Sequence, residues 1–174
     1  MTFSPVGWAM RSKMDGRFQE LREKEARRMA DQTTEEILVN ASPAEIYEVA
    51  ADIERYPEWV SDIKQVTVDE RDGLGRALRV TFRAAAFGRS TTYTLLYDYT
   101  HAPEELEWKL TEGDLTSVLD GKYAFSGVKG GTEVTYHLEV ALRVPIPGFV
   151  KSRAQGRIQA TALRELKARA ESLR

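Results

Sequence analysis

Two periodicities divide this chain. From Pro145 to the C-terminus, apolar residues recur at Val150, Ala154, Ile158, Ala162, Leu166, Ala170 and Leu173. Steps of four and three mark one stripe of an α-helix. Upstream, the period is two. Val66 and Val68 begin it. Leu78, Val80 and Phe82 then alternate with Arg79, Thr81 and Arg83. Tyr93, Leu95, Tyr97 and Tyr99 alternate with Thr94 and Asp98, and Leu106, Trp108 and Leu110 with Glu107 and Lys109. A further strand starts near Leu115 and carries Tyr123 and Phe125. Val134, Tyr136, Leu138, Val140 and Leu142 alternate with Thr135, His137, Glu139 and Arg143. This alternation predicts strands with one apolar and one polar face. Asp72-Gly73 and Gly130-Gly131 supply turns, and Pro145 and Pro147 stop the last strand.

Before these strands, residues 33–39 predict a first strand. Ser42-Pro43-Ala44-Glu45 then reads as a capping box with Pro in the first helical turn, and Ile46, Val49 and Ala50 form the stripe behind it. Residues 53–59 (IERYPEW) predict a short second helical piece broken at Pro57, anchored by Tyr56 and Trp59. The order is therefore β-α-α-β6-α. It predicts an α+β protein in which a curved antiparallel sheet of about seven strands wraps a long C-terminal helix. So few helices over so large a sheet leave room for a cavity. The terminal helix is uneven. Leu163, Leu166 and Leu173 fall in its second half, whereas Ala154, Gly156 and Ala160 surround Ile158 in its first. The small residues are expected to lie over something that needs space; the alternative is an ordinary amphipathic helix with Gly156 facing solvent.

Residues 1–32 have a different character. Positions 17–28 (RFQELREKEARR) are mostly charged, with Glu and Lys or Arg at i,i+4 spacing. They read as a flexible or helical arm outside a domain of residues 33–174; a second reading starts the protein at Met29. The first ten residues do not read as a signal peptide.

Composition narrows the function. The formal net charge of −2 over 174 residues, with no basic stripe expected, offers no argument for nucleic acid or an anionic membrane. The absence of Cys excludes disulfides and thiolate chemistry and fits a cytoplasmic location. No apolar run reaches the ~18–20 residues of a membrane span. His101 sits in a His101-Ala102-Pro103 turn and His137 on the polar face of its strand. Neither the HxH and HExxH metal spacings nor the GxSxG, GxGxxG and P-loop signatures occur. No metal, cofactor or catalytic residue is assigned.

Ser42-Pro43-Ala44-Glu45-Ile46-Tyr47, Tyr56-Pro57-Glu58-Trp59 and the Pro-rich entry to the terminal helix together resemble the START-like (SRPBCC) superfamily. Within it they look most like the polyketide cyclase/dehydrase and coenzyme Q-binding branch. The resemblance covers residues 33–174 and implies a helix-grip fold that holds lipids, quinones, polyketides or hormones, with cyclisation in some members. The apolar parity then supplies the candidate ligand contacts: Leu78, Val80, Phe82, Tyr93, Tyr97, Trp108, Tyr136, Leu138 and Ile158. Phe87 at a hairpin tip and Phe149 at the helix entry are expected to flank a portal, with Ala154 leaving room beside it. Arg79 and Arg83 are expected in solvent unless a bulge turns one inward. The leading expectation is carriage of a small hydrophobic ligand such as a lipid, isoprenoid quinone or polyketide. A polyketide aromatase/cyclase is the alternative, and an interaction protein using the fold as a surface is the second.

Overall fold

The computed structural model describes residues 16–25, 30–86 and 88–174. Phe87 and Met29, two positions singled out above, lie outside the described residues. The chain runs β1 (Asp31–Val39), α1 (Pro43–Ala51), a 3-10 turn (Ile53–Arg55) and α2 (Tyr56–Trp59). Six strands follow: β2 (Ile63–Arg71), β3 (Ala77–Ala86), β4 (Arg89–Asp98), β5 (Glu105–Gly113), β6 (Thr116–Val128) and β7 (Gly131–Leu142). The 25-residue α3 (Gly148–Ser172) ends the fold. All seven strands form one antiparallel sheet in the order β1-β7-β6-β5-β4-β3-β2. This is the helix-grip arrangement, with β1 returning to pair with the last strand.

Local chemistry explains the elements. At the start of α1 the Glu45 amide donates to Ser42 Oγ at 3.3 Å and the Ser42 amide donates to Glu45 Oε2 at 2.7 Å. That reciprocal pair satisfies two amides the helix cannot, and Ile46, Val49 and Ala50 turn into the core. At the β6–β7 hairpin Gly131 has φ +144°, and a Cβ there would stand 2.1 Å from the Val39 carbonyl oxygen. Only glycine lets the hairpin close against the end of β1.

Alternation holds on most strands. Val80, Phe82 and Ala84 on β3, Leu95, Tyr97 and Tyr99 through the end of β4, and Val134, Tyr136, Leu138 and Val140 on β7 are buried on one face. It fails at Leu78. Pairing to β2 shifts register there, so that Glu70 faces Arg79 while Arg71 faces Ala77. Ala77 takes the inward place and Leu78 stays partly exposed, a consequence of one extra residue in a strand of period two. Arg79 remains outside, paired with Glu112 at 2.5 Å, and Arg83 is exposed.

Helix α3 attaches in two ways. Its second half buries Leu163, Leu166 and Ala170, each fully covered Leu being worth about 1.5–3 kcal/mol. Polar ties fasten the rim: Lys167 Nζ donates to the Leu38 carbonyl at 2.9 Å and Arg169 pairs with Glu58 at 3.1 Å. Its first half buries glutamines instead. Gln155 Nε2 donates to Thr33 Oγ1 at 3.1 Å and to the Leu138 carbonyl at 3.3 Å. Gln159 Nε2 donates to the Tyr136 carbonyl at 3.1 Å and to the Thr33 carbonyl at 3.3 Å, while Thr33 Oγ1 donates to Gln159 Oε1. The expected stripe of Val150, Ala154 and Ile158 is therefore rotated: Gln155 and Gln159 face the sheet, and Ala154 and Ile158 are half-covered at its side. Gly156 meets nothing within 4 Å of a would-be Cβ, so no close approach requires it. Residues 16–25 form a helix with every residue exposed, Phe18 and Leu21 included.

Candidate functional site

Between the sheet and the first half of α3 lies a cavity of about 170 Å³. Its walls come from every layer of the fold. β3 to β5 supply Phe82, Ala84, Tyr93, Leu95, Tyr97 and Trp108. β6 and β7 supply Leu119, Tyr123, Tyr136, Leu138 and Val140. α2 closes one side with Tyr56 and Trp59, and α3 covers the top with Gln155, Ile158, Thr161 and Ala162. Cross-strand register explains the convergence, because Phe82 pairs with Tyr93, Tyr97 with Trp108 and Tyr123 with Tyr136. Pairs on one face of a twisted sheet point into the same concavity.

The aromatic rings form two linked groups, one running Trp59–Tyr56–Phe82–Tyr93 and the other joining Tyr97, Trp108, Tyr123 and Tyr136. Phe82 stacks on Tyr93 at 5.3 Å between centroids, Trp108 meets Tyr123 at 5.3 Å and Tyr136 at 5.8 Å, and Tyr123 meets Tyr136 at 4.6 Å. Trp108 lies over Gly121 on the neighbouring strand. A Cβ there would stand 2.5 Å from the indole ring, so this glycine is the space the ring occupies. On the α2 side, Trp59 packs edge-on against Tyr56 at 5.2 Å. The expected anchor at Trp59 is thus a half-buried ring on the cavity wall rather than a core residue, while Tyr56 does the anchoring through its hydroxyl.

Hydroxyl partners separate the tyrosines into two groups. Tyr56 donates to the Ala50 carbonyl at 2.5 Å and Tyr99 to the Ala77 carbonyl at 2.6 Å. The hydroxyls of Tyr93 and Tyr97 form no hydrogen bond with a described residue. Burial pushes the phenols of Tyr56, Tyr93, Tyr97, Tyr123 and Tyr136 well above the usual tyrosine value, and that of Tyr99 up to about 12. These groups hold their protons firmly, and Tyr93 and Tyr97 bring theirs to the apolar space of the cavity. Asp62 and Glu165 stand at the rim, Glu165 accepting from the Ser61 amide at 3.1 Å.

The cavity opens sideways into an outer groove between α3 and the β3–β4 hairpin. Asp62, Ala85, Ala86, Ile158 and Thr161 border both spaces. Of the sequence candidates, Phe82, Tyr93, Tyr97, Trp108, Tyr136, Leu138 and Ile158 lie on the cavity. Phe149 and Ala154 line the outer groove instead, because the rotation of α3 moves them to its flank. Val80 is wholly buried in the core and Leu78 is carried off the cavity by its register shift. Sequence reasoning did not name Tyr56, Trp59, Leu95, Leu119, Tyr123, Gln155 or Ala162 as contacts. Parity already placed Leu95 and Tyr123 on the covered face; nothing local marks two glutamines as buried.

His137 lies on the outer face, 2.7 Å from Thr34 Oγ1. His101 stands 3.1 Å from Glu107 and 3.9 Å from Glu105 in the β4–β5 connection. Glu105 already accepts Lys122 at 2.9 Å, which with nearby groups holds its carboxyl below the ordinary value. Three such groups within reach of one point are the one metal-compatible cluster among the described residues, and they belong to an exposed ion-pair network away from the cavity. No described helix is long and apolar enough to cross a membrane.

Solved structures share this architecture. A START superfamily protein from Mycobacterium smegmatis superposes with a TM-score of 0.77 at 22% identity, over 82% of this chain and 99% of that one. The Zhui aromatase/cyclase from Streptomyces sp. R1128 gives 0.71 at 16% identity, over 82% and 94%. A protein from Thermus thermophilus gives 0.70 at 20% identity, over 82% and 99%. At such identities the likeness is one of fold. No curated protein matches the sequence. The sequence pattern itself is more specific than the fold: residues 30–171 match the model of the polyketide cyclase/dehydrase and lipid transport family, and the chain belongs to that family.

Proposed function

We propose that this protein binds and carries a small hydrophobic ligand, in the cytoplasm, between its sheet and terminal helix. The observation that carries this reading is an apolar cavity walled by aromatic rings into which Tyr93 and Tyr97 bring hydroxyls without protein partners among the described residues. Both residues line the cavity, so a ligand oxygen there would accept from such a hydroxyl while the rings supply the apolar contact.

Size sharpens the ligand. At about 170 Å³ the cavity is smaller than the roughly 300–1,000 Å³ of sites that swallow drug-sized molecules. It suits a body of one or two rings bearing an oxygen, with any chain leaving past Ile158 into the outer groove. A quinone or phenolic head with an aliphatic tail fits this division better than a complete multi-ring polyketide.

The aromatase/cyclase alternative draws on the family and on the Zhui structure. It would use the cavity as a mould and the tyrosines as donors. Their raised proton affinities favour hydrogen bonding over proton transfer at neutral pH. The interaction-protein alternative makes no use of the cavity.

Mass spectrometry of the native protein, followed by titration with a short-chain benzoquinone, a fatty acid and an aromatic polyketide, tests the reading. A co-purifying ligand or saturable quinone binding is expected. Ile158→Trp, which plugs the passage between groove and cavity, should abolish it. No ligand and no binding across the three classes would overturn the carrier reading, and turnover of a polyketide chain would favour the cyclase.

A further inference from the structure

The cavity mouth sits at the most one-signed stretch of the chain. Between residues 143 and 164 there are five basic residues (Arg143, Lys151, Arg153, Arg157 and Arg164) and no acidic one, in a protein whose formal net charge is −2. The expectation that the chain has no basic stripe therefore fails locally. Folding gathers part of this charge on one surface. Phe149, Arg153 and Arg157 follow one another at helical spacing along α3, and with Val150 they line the outer groove. Arg153 and Arg157 are exposed and form no ion pair with a described residue. Phe149 is 78% exposed and Val150 40%. The opposite wall of the groove is Ala85, Ala86 and Gly88 of the hairpin.

Nothing in the fold needs this combination. The N-terminal end of α3 has no side-chain cap and no acid in its first turn, and an exposed Phe one turn ahead of Arg153 contributes nothing to a core. Water-facing cations in line behind a protruding apolar ring match a surface that is anionic outside and apolar just beneath. A nucleic acid supplies the charge but no apolar layer for Phe149 to enter.

We propose that this end of the molecule docks on an anionic lipid bilayer, with Arg153 and Arg157 on the headgroups and Phe149 inserted between them. The groove, and through it the cavity, then opens directly onto the membrane, where an apolar ligand can pass without crossing water. Docking needs no cavity ligand, so the two readings fail separately.

The test is co-sedimentation of the full chain with vesicles of phosphatidylcholine alone and with one third phosphatidylglycerol, at low and high salt. Binding should be confined to the anionic vesicles and fall steeply with salt. Near an anionic surface each basic residue contributes roughly fivefold, so Arg153→Glu with Arg157→Glu should lower partitioning more than tenfold. Phe149→Ser should lower it severalfold. Thermal melts check that each variant folds, and the milder Arg153→Gln/Arg157→Gln pair serves if the charge reversal does not. Equal partitioning to both vesicle types, no partitioning at all, or binding unchanged in a folded double variant would overturn the proposal. So would Arg153- and Arg157-dependent binding of an RNA oligonucleotide or an acidic protein without vesicle binding.

Discussion

The two halves of α3 are one continuous helix with opposite tasks. The second half buries Leu163, Leu166 and Ala170 and is tied to the rest of the fold by Lys167, Arg169 and Glu171. The first half touches the sheet through Gln155 and Gln159, leaves Ile158 and Ala162 over an unfilled space, and turns Arg153 and Arg157 outward. Apolar burial is strong and non-directional; amide hydrogen bonds are weaker but fix position. A helix held by leucines at one end and by glutamines at the other is a closed core on one side and a roof on the other. The comparison teaches that a cavity here needs no special cavity residues. It needs only that the helix exchange large apolar contacts for directional polar ones over part of its length.

Alkali gives the largest expected effect, because five tyrosines line the cavity beneath the first half and Tyr99 is buried further along the sheet. Each keeps its proton to higher pH in the fold than in the unfolded chain, where the phenol titrates near 10. Their stabilisation is complete below about pH 10 and drains as pH rises through the folded values, about 12 for Tyr99 and higher for the others. Tyrosinate absorbance should therefore appear late and together with loss of near-ultraviolet circular dichroism. Gradual ionisation near pH 10 in a folded protein would place these rings in solvent.

Leu166→Ala comes next. The side chain is wholly buried, so truncation should cost about 2–5 kcal/mol in denaturant unfolding. Gln159→Ala should cost less, about 1–3 kcal/mol, since it strips bonds from the Tyr136 and Thr33 carbonyls. Ile158→Ala should cost under about 1 kcal/mol, as the site already borders empty space. Equal losses at Leu166 and Ile158 would erase the distinction between the halves. The smallest effect is expected for removal of residues 1–30, which we propose lie outside the domain. The helix at 16–25 is exposed throughout, so the melting temperature should move by no more than about 2 °C. A fall of many degrees would show that the arm packs on the domain.

The sequence by itself determined the order β-α-α-β6-α, the one-sided strands, the capping box at Ser42 and the family. Each follows from a period or from contacts a few residues apart, which side-chain chemistry prints directly on the chain. It also placed Phe82, Tyr93, Tyr97, Trp108 and Tyr136 on the covered face, because strand parity is a local property. What it did not determine is where that parity breaks and how the helix is turned. Leu78 leaves the cavity because a register shift between two strands is settled by their pairing. Phe149 and Ala154 move to the groove because Gln155 and Gln159 find Thr33, Tyr136 and Leu138 across the sheet. A glutamine looks like a surface residue until carbonyls more than a hundred positions away, or across the β7–α3 connection, accept its protons. Only the tertiary structure brings those partners together, and with them it decides that the first half of the last helix spans a cavity rather than filling it.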